Sequence, residues 1–302
     1  MFSVFENVFV LFFFVILGFT LCKTKIADNG MSQILSSLLV YVFLPAKILD
    51  SMSHDCTVKY ISEKYTLVIG GFILLAITML VFYPISKKLA KTEHEKYVYW
   101  YSFVAPNFGY FGYPLAESLF GKEGLLNLII FAIPTSFFCY TIGFCTLTKT
   151  KMSIKNLLTK PPLVATIVGA AAGLLGLGNH LPDTVNSILG MAGACMGPVA
   201  MILLGMVISE FNLSEFIKDK RVYILSVARL LIIPLIVTYI VSLFGIKELT
   251  LSTLMLYALP FGLNTVVYTK LVGEDCRLGA GFTTISTLLS CISIPIMVQI
   301  FN

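Results

Sequence analysis

Long runs of apolar residues, separated by short polar segments, dominate the chain. Ten of these runs are about as long as a helix must be to cross the hydrocarbon core of a bilayer. The polar segments between them leave no room for a soluble domain. The pattern predicts an all-α integral membrane protein with ten transmembrane helices, spans 1 to 10, at 4–22, 31–50, 65–85, 97–119, 124–147, 162–178, 183–208, 222–244, 250–272 and 278–301.

Composition agrees with this pattern and excludes several functions. Of the 302 residues, 57% are hydrophobic and 12% are charged, whereas about a quarter are charged in a soluble domain. The net charge of +5 does not indicate a nucleic-acid partner, because the basic residues lie in short loops and form no basic face. The cysteines and histidines follow no disulfide, zinc or catalytic spacing, so we expect no metal, no cofactor and no enzymatic activity.

The distribution of lysine and arginine predicts the orientation in the membrane. Of the 21 basic residues, fifteen fall in one set of alternate loops, four in the other set, and Lys47 and Arg229 within spans. Cytoplasmic loops carry the excess of positive charge. We therefore expect a plasma-membrane protein with both termini on the extracytoplasmic side.

Two basic residues within spans need separate explanations. Because long basic side chains can extend to the membrane surface, we expect Lys47 and Arg229 to reach toward the nearer surface. Two alternatives remain open: Lys47 could line an outer anion pathway, and Arg229 could be a structural or substrate-facing cation.

A basic segment divides the chain near its middle. Residues 149–161 form a predicted cytoplasmic linker between a first half, 1–148, and a second half, 162–302, with five spans each. An odd number of spans per half gives the halves opposite orientations, as in an inverted repeat. Prolines support this, because Pro45 and Pro198 lie at similar depths in spans 2 and 7, and Pro106 and Pro260 in spans 4 and 9.

Spans 4 and 9 are predicted to be broken near the bilayer midplane. Proline removes a backbone hydrogen bond, and irregular backbone in a membrane survives only inside protein or beside a wet cavity. The second half of each span would point its amides and positive dipole end at the break, which favours an anion. The alternative is a pair of plain proline kinks, with asparagines bonding between helices. The candidate substrate-binding residues are Pro106, Asn107, Gly109, Pro260, Asn264 and Thr265.

The stretch "NFGYFGYPLAESLFG", from Asn107 to Gly121, resembles the signature of helix 4 in the auxin efflux carrier family. "LPAKI" from Leu44 and "ALPFGLNTVVYTKLVG" from Ala258 are similar to that family's helices 2 and 9. The family includes plant auxin exporters and bacterial carriers of malate, malonate and related carboxylates, within a bile acid/sodium symporter-like superfamily. Lys47 departs from it, because an apolar residue is usual at that position.

The resemblance implies a specific architecture. Helices 4 and 9 would cross at their prolines, helices 1, 2, 6 and 7 would form a scaffold, and helices 3–5 and 8–10 would form a transport part. It also implies a homodimer that works by elevator-like alternating access, with Asn107 and Asn264 holding a substrate carboxylate.

The sequence thus favours a secondary transporter of a small organic anion in the lipid bilayer. Two alternatives remain: a membrane sensor that binds its ligand without transport, and a sodium-coupled symporter of the bile-acid type. The hydroxyls of span 10, at Thr283, Thr284, Ser286 and Ser290, could serve an ion, but such groups more often bond to backbone. No carboxylate lies near the predicted midplane, which disfavours a sodium–proton antiporter.

Overall fold

The structure is a computed structural model that describes residues 2–151, 159–211, 216 and 219–301. Within these residues the chain is helical, apart from loops and one antiparallel bridge between Pro106 and Phe261. Most of the predicted linker, residues 152–158, lies outside the described residues.

The helices are numbered α1 to α16 in chain order. The first half contains α1 (Phe2–Lys23), α2 (Asn29–Leu38), α3 (Leu44–Asp55), α4 (Val58–Glu63), α5 (Tyr65–Leu89), α6 (Glu93–Val104), α7 (Tyr113–Phe131), α8 (Ile133–Tyr140) and α9 (Ile142–Thr148). The second half contains α10 (Pro161–Leu174), α11 (Asp183–Ser209), α12 (Lys220–Val227), α13 (Ile233–Ser242), α14 (Lys247–Tyr257), α15 (Asn264–Leu271) and α16 (Arg277–Phe301).

Among the described residues, six continuous helices are long and apolar enough to cross a membrane. They are Val4–Lys23, Gly30–Asp55, Tyr65–Leu89, Asp183–Ser209, Lys220–Ser242 and Arg277–Phe301. A seventh span is formed if Phe108–Phe131 and Ile133–Thr148, which meet at a 51° bend, are taken as one. The other predicted spans fall on a short helix, Pro161–Leu174, and on interrupted helices, so the count of ten stays a prediction.

Three helices widen into a π-helical turn just before a proline. The turns are Leu39–Phe43, Phe108–Gly112 and Ala228–Ile232, and Pro45, Pro114 and Pro234 follow them. In each turn the last bond spans five residues, as from the Leu44 amide to the Leu39 carbonyl. A proline ring clashes with the carbonyl four residues before it, and the wider turn relieves this clash. The helix therefore continues past Pro45 as one span, Gly30–Asp55.

Helix packing divides the described helices into two groups. Group A comprises α1, α2, α3, α10 and α11; its most extensive contacts are α1 against α11 and α3 against α10. Group B comprises α5 to α9 and α12 to α16; it packs mainly through α5 with α6, α13 with α14 and α12 with α16. Packing between the groups is sparser and runs mainly through α7 and the turn before it, which contact α1, α3 and α11.

Glycines allow the closest approach within group A. A Cβ atom on Gly205 of α11 would lie 1.9 Å from the Val15 carbonyl oxygen of α1, and one on Gly18 would lie 2.0 Å from the Ile202 carbonyl oxygen. No side chain fits at these distances, so the small residues serve helix packing inside the chain.

This packing predicts opposite outcomes for two glycines of α11. Gly205→Leu forces α1 and α11 apart and should lower the Tm in detergent by about 10 °C or more. Gly190 has open space around its position, so Gly190→Leu should leave the Tm within about 2 °C. Thermal unfolding with size-exclusion chromatography measures both. Equal Tm values for the two variants would contradict the packing described here.

Candidate functional site at the helix crossing

Two helices are interrupted where the sequence predicts breaks. The first break separates α6, which ends at Val104, from the π-helical turn that begins at Phe108, and it contains Pro106. The second separates α14, which ends at Tyr257, from α15, which begins at Asn264, and it contains Pro260. Each interrupted helix therefore consists of two half-helices joined by extended backbone.

The two breaks lie directly against each other. The Asn107 amide donates to the Pro260 carbonyl oxygen at 2.9 Å, and Pro106 and Phe261 form an antiparallel bridge. A Cβ on Gly262 would lie 2.7 Å from the Ala105 carbonyl oxygen, so the close approach requires glycine. The predicted breaks thus form one crossing whose backbone groups bond across it.

Arg229 is buried beside the crossing. Its side chain is 1% exposed, so the expectation that it reaches the membrane surface is wrong. Nη1 donates to the Phe103 carbonyl at 3.0 Å, Nε to Leu259 at 3.2 Å, and Nη2 to Leu256 at 3.4 Å. These carbonyls lie at or just past the C-terminal ends of α6 and α14, which a helix leaves unpaired.

Arg229 is therefore a structural cation, which is one of the alternatives that the sequence left open. The ends it binds carry the negative pole of each half-helix dipole, so one guanidinium compensates both. It also lies over the Tyr257 ring, 5.8 Å from the ring centroid. The sequence gives no signal for this role, because the acceptors are backbone carbonyls.

A small cavity of about 30 Å³ lies beside the crossing. It has room for about two water molecules. No charged residue lines it; its walls are Leu44, Ile48, Tyr101, Pro106, Asn107, Phe108, Gly109, Tyr110, Tyr113, Ser136, Tyr140, Pro162, Thr166, Gly262, Leu263 and Asn264. The cavity is neutral, and both helix groups contribute to it.

Four of the six candidate residues line this cavity: Pro106, Asn107, Gly109 and Asn264. Sequence reasoning missed four tyrosines that also line it, at 101, 110, 113 and 140. Tyrosines are frequent at membrane–water interfaces, so their type alone does not mark a cavity. The positions of the tyrosines in the sequence are a better signal for a cavity. Tyr113 closely follows the break at Asn107, and Tyr101 precedes that break by about one and a half helical turns.

The two asparagines differ in how they are bonded. Asn107 is 3% exposed, and its Nδ2 has no hydrogen-bond partner among the described residues. The Nδ2 of Asn264 donates to the Tyr101 hydroxyl at 3.1 Å. An unpaired buried donor is costly, so Asn107 offers its amide to whatever occupies the cavity.

The other two candidates lie beside the cavity and not in its wall. Pro260 contributes its carbonyl to the bond with the Asn107 amide. Thr265 is fully buried, and its hydroxyl donates to the Gly262 carbonyl at 2.9 Å. Both therefore support the shape of the second break.

Gly109 has a different environment from Gly262. A Cβ there would lie 3.7 Å from Leu44 Cδ2, an ordinary contact distance. Packing does not require glycine at 109, and the missing side chain leaves space inside the cavity.

Hydroxyls of α16 bond to backbone at the crossing. Ser286 donates to the Phe282 carbonyl at 2.6 Å and accepts from the Phe261 amide at 3.0 Å, and Ser290 donates to the Thr287 carbonyl. Thr283 donates to the Gly262 carbonyl at 3.3 Å. Thr283 and Ser286 thus hold the second break against α16, whereas Ser290 bonds within α16. All three hydroxyls bond to backbone, as the backbone interpretation predicts.

Lys47 lies in a separate cavity of about 290 Å³, here called the vestibule. Its walls are Lys47, Asp50, Ser51, His54, Asp55, Glu117, Lys122, Leu125 and Asn186. The Lys47 ammonium contacts Glu117 Oε1 at 2.5 Å, with 13% of the lysine side chain exposed. In this conformation Lys47 is therefore the ion-pair partner of Glu117.

Removing the Arg229 guanidinium should destabilise the whole protein. Arg229→Met keeps most of the volume but leaves the carbonyls of both half-helices unpaired, so we expect a loss of about 3 kcal/mol and a Tm lower by about 10 °C. Arg221→Met is the matched control, because Arg221 pairs locally with Asp219 and is 46% exposed; its Tm should change by less than about 2 °C. A wild-type Tm for Arg229→Met would show that the carbonyls do not need this side chain.

Comparison with known proteins identifies the family of the chain. The sequence pattern of a family described as membrane transport protein matches the chain twice, over residues 3–154 and 145–298. An uncharacterized transporter of Methanocaldococcus jannaschii is 24% identical over 300 residues, with 96% of both chains covered. Another, of Methanothermobacter thermautotrophicus, is 24% identical over 299 residues, with 96% of both chains covered. Because the family pattern covers most of the chain, the protein belongs to the auxin efflux carrier-like family of membrane transport proteins.

Proposed function

We propose that the protein is a secondary transporter of a small organic carboxylate, which binds in the cavity at the helix crossing. The observation that carries this proposal is the side-chain amide of Asn107, whose Nδ2 is buried and without a hydrogen-bond partner among the described residues, on a residue of the cavity wall. Amide donors suit a carboxylate, because hydrogen bonds to a charged acceptor are about twice as strong as neutral ones.

The electrostatics of the crossing favour an anion. Arg229 binds the C-terminal ends of α6 and α14, so a cation compensates the negative poles of these half-helices. The second half-helices begin at Phe108 and Asn264, which both line the cavity. Their positive poles therefore lie at the cavity wall, which favours a negative charge there.

The neutral lining favours a substrate with a single charge. No basic residue lines the cavity to balance a second carboxylate, and an unpaired buried charge is costly. The tyrosine rings and the aliphatic side chains of Leu44 and Ile48 suit an apolar or aromatic body.

The transport mechanism we propose is elevator-like alternating access in a ten-helix inverted repeat. The division into groups A and B supports it, because group A corresponds to the scaffold helices 1, 2, 6 and 7 and group B to the transport helices. The small cavity is in line with a closed state, in which the substrate enters only after the groups move apart. We further propose that the protein is a homodimer in the plasma membrane. Both termini would be extracytoplasmic, an orientation that the distribution of basic residues in the loops supports.

Replacing Asn107 tests the site. Asn107→Ala removes the free donor and should weaken carboxylate binding about 10- to 100-fold, with uptake into proteoliposomes lost to a similar extent. The matched control is Asn186→Ala, since Asn186 lies in the vestibule and away from the crossing. Binding is measured as the ligand-induced rise in Tm. Unchanged transport by a folded Asn107→Ala protein would sink the site assignment.

Substrate charge is tested separately. At pH 7.5 acetate, propionate or phenylacetate should raise the Tm more than malonate or malate at equal concentration, with apparent affinities differing by about tenfold or more. Each titration is run with and without sodium. Tighter binding of the dicarboxylates would contradict the neutral-cavity argument. Sodium-dependent binding would favour a sodium symporter, and binding without flux in either direction would favour a sensor.

A further inference from the structure

Two ion pairs join group A to group B. Lys47 of α3 pairs with Glu117 of α7 at 2.5 Å, and Glu210, directly after α11, pairs with Lys270 of α15 at 2.6 Å. The other ion pairs among the described residues are local or link elements outside group A, as when Lys64 binds Glu123 and Glu248. These two are therefore the charged links between the groups in the part of the chain that the structure describes.

The two pairs occupy matched places in the fold. Glu117 lies 11 residues after Pro106 (117 − 106), and Lys270 lies 10 residues after Pro260 (270 − 260). Because the breaks cross antiparallel, the second half-helices lead away from the crossing in opposite directions. One pair consequently lies on each side of the crossing.

The burial of the partners is matched as well. In each pair the group A member is the more buried, with 13% of the Lys47 and 15% of the Glu210 side chain exposed, against 35% for Glu117 and 47% for Lys270. Each group A residue is thus a partly desolvated partner for a more exposed group B charge. The signs of the charges are reversed between the two pairs: the group A residue is a cation in one pair and an anion in the other.

The Lys47 pair lies between the cavity and the vestibule. Leu44 and Ile48, on either side of Lys47, line the cavity, as does Tyr113, one turn before Glu117. Lys47 and Glu117 themselves line the vestibule. On the other side, Lys270 lies six residues after the cavity-lining Asn264, about 9 Å along α15.

We propose that these pairs are two latches that hold the groups together at opposite sides, so that the cavity is closed when both are formed. Lys47–Glu117 closes the route through the vestibule, and Glu210–Lys270 closes the route at the opposite side. Opening toward one side breaks one pair and leaves the other in place. This inference rests on the proposed function, since it assumes that the groups move relative to each other.

The test measures access to the cavity and not transport. A cysteine is placed in the cavity wall by Thr166→Cys, and its labelling by a membrane-impermeant maleimide is followed on intact cells and on inverted vesicles. Protein without Thr166→Cys supplies the blank for the native cysteines. The readout needs no substrate. The latch proposal can therefore fail while carboxylate binding persists, and carboxylate binding can fail while the latch proposal holds.

Breaking one latch should shift access toward one side. Glu117→Gln should raise labelling from the vestibule side about three- to fivefold, the effect of losing an exposed or partly exposed ion pair. Lys270→Gln should raise labelling from the opposite side by a similar factor. The charge swap Lys47→Glu with Glu117→Lys should restore wild-type labelling. Lys122→Gln is the control, because Lys122 lines the vestibule and is part of no ion pair among the described residues.

Three outcomes would overturn the proposal. They are unchanged labelling in both single variants, a rise from the same side in both, and failure of the folded charge-swap protein to restore wild-type labelling. If Glu117→Gln or Lys270→Gln does not fold, Lys47→Gln and Glu210→Gln test the same latches with the same expected shifts.

Discussion

The structure depends on one requirement: backbone groups inside a membrane must find partners within the protein. Two interrupted helices leave backbone groups without helical partners at four ends, and contacts at the crossing supply other partners. The breaks bond to each other between Asn107 and Pro260, and α16 supplies Ser286 and Thr283. Arg229 binds three carbonyls at the ends of α6 and α14. Without these partners, irregular backbone at this position would be too costly to keep.

The contacts that satisfy these backbone groups also separate positive from negative charge at the crossing. A cation is buried against the negative ends of two half-helices, whereas the positive ends open on a cavity whose lining has no charge of its own. The same arrangement that stabilises the break therefore favours the anion site proposed above. Stability and recognition have a common origin here, and a substitution at Arg229 should affect both.

The sequence was informative where one residue type has one physical meaning. Pro106 and Pro260 mark the breaks, and asparagine beside a break in an apolar run indicates a polar site, so the crossing and Asn107 could be predicted. The partners of Arg229 and Lys47 could not, because backbone carbonyls have no sequence signature and Glu117 lies 70 residues from Lys47. The tyrosines of the cavity were missed because they serve equally well as interfacial residues. The place of Thr265 beside the cavity could not be predicted, because position after a proline does not fix which way a side chain points.

The buried charge of Arg229 has an electrical consequence. It lies in group B, so it would travel with the cavity in an elevator-like movement. A loaded carrier would then move a cation and a bound monoanion together, with no net charge, whereas the empty carrier would return with one positive charge. The membrane potential acts on a moving elementary charge with about 2.3 kcal/mol per 100 mV. The voltage sensitivity of such a carrier would therefore reside in its unloaded half-cycle.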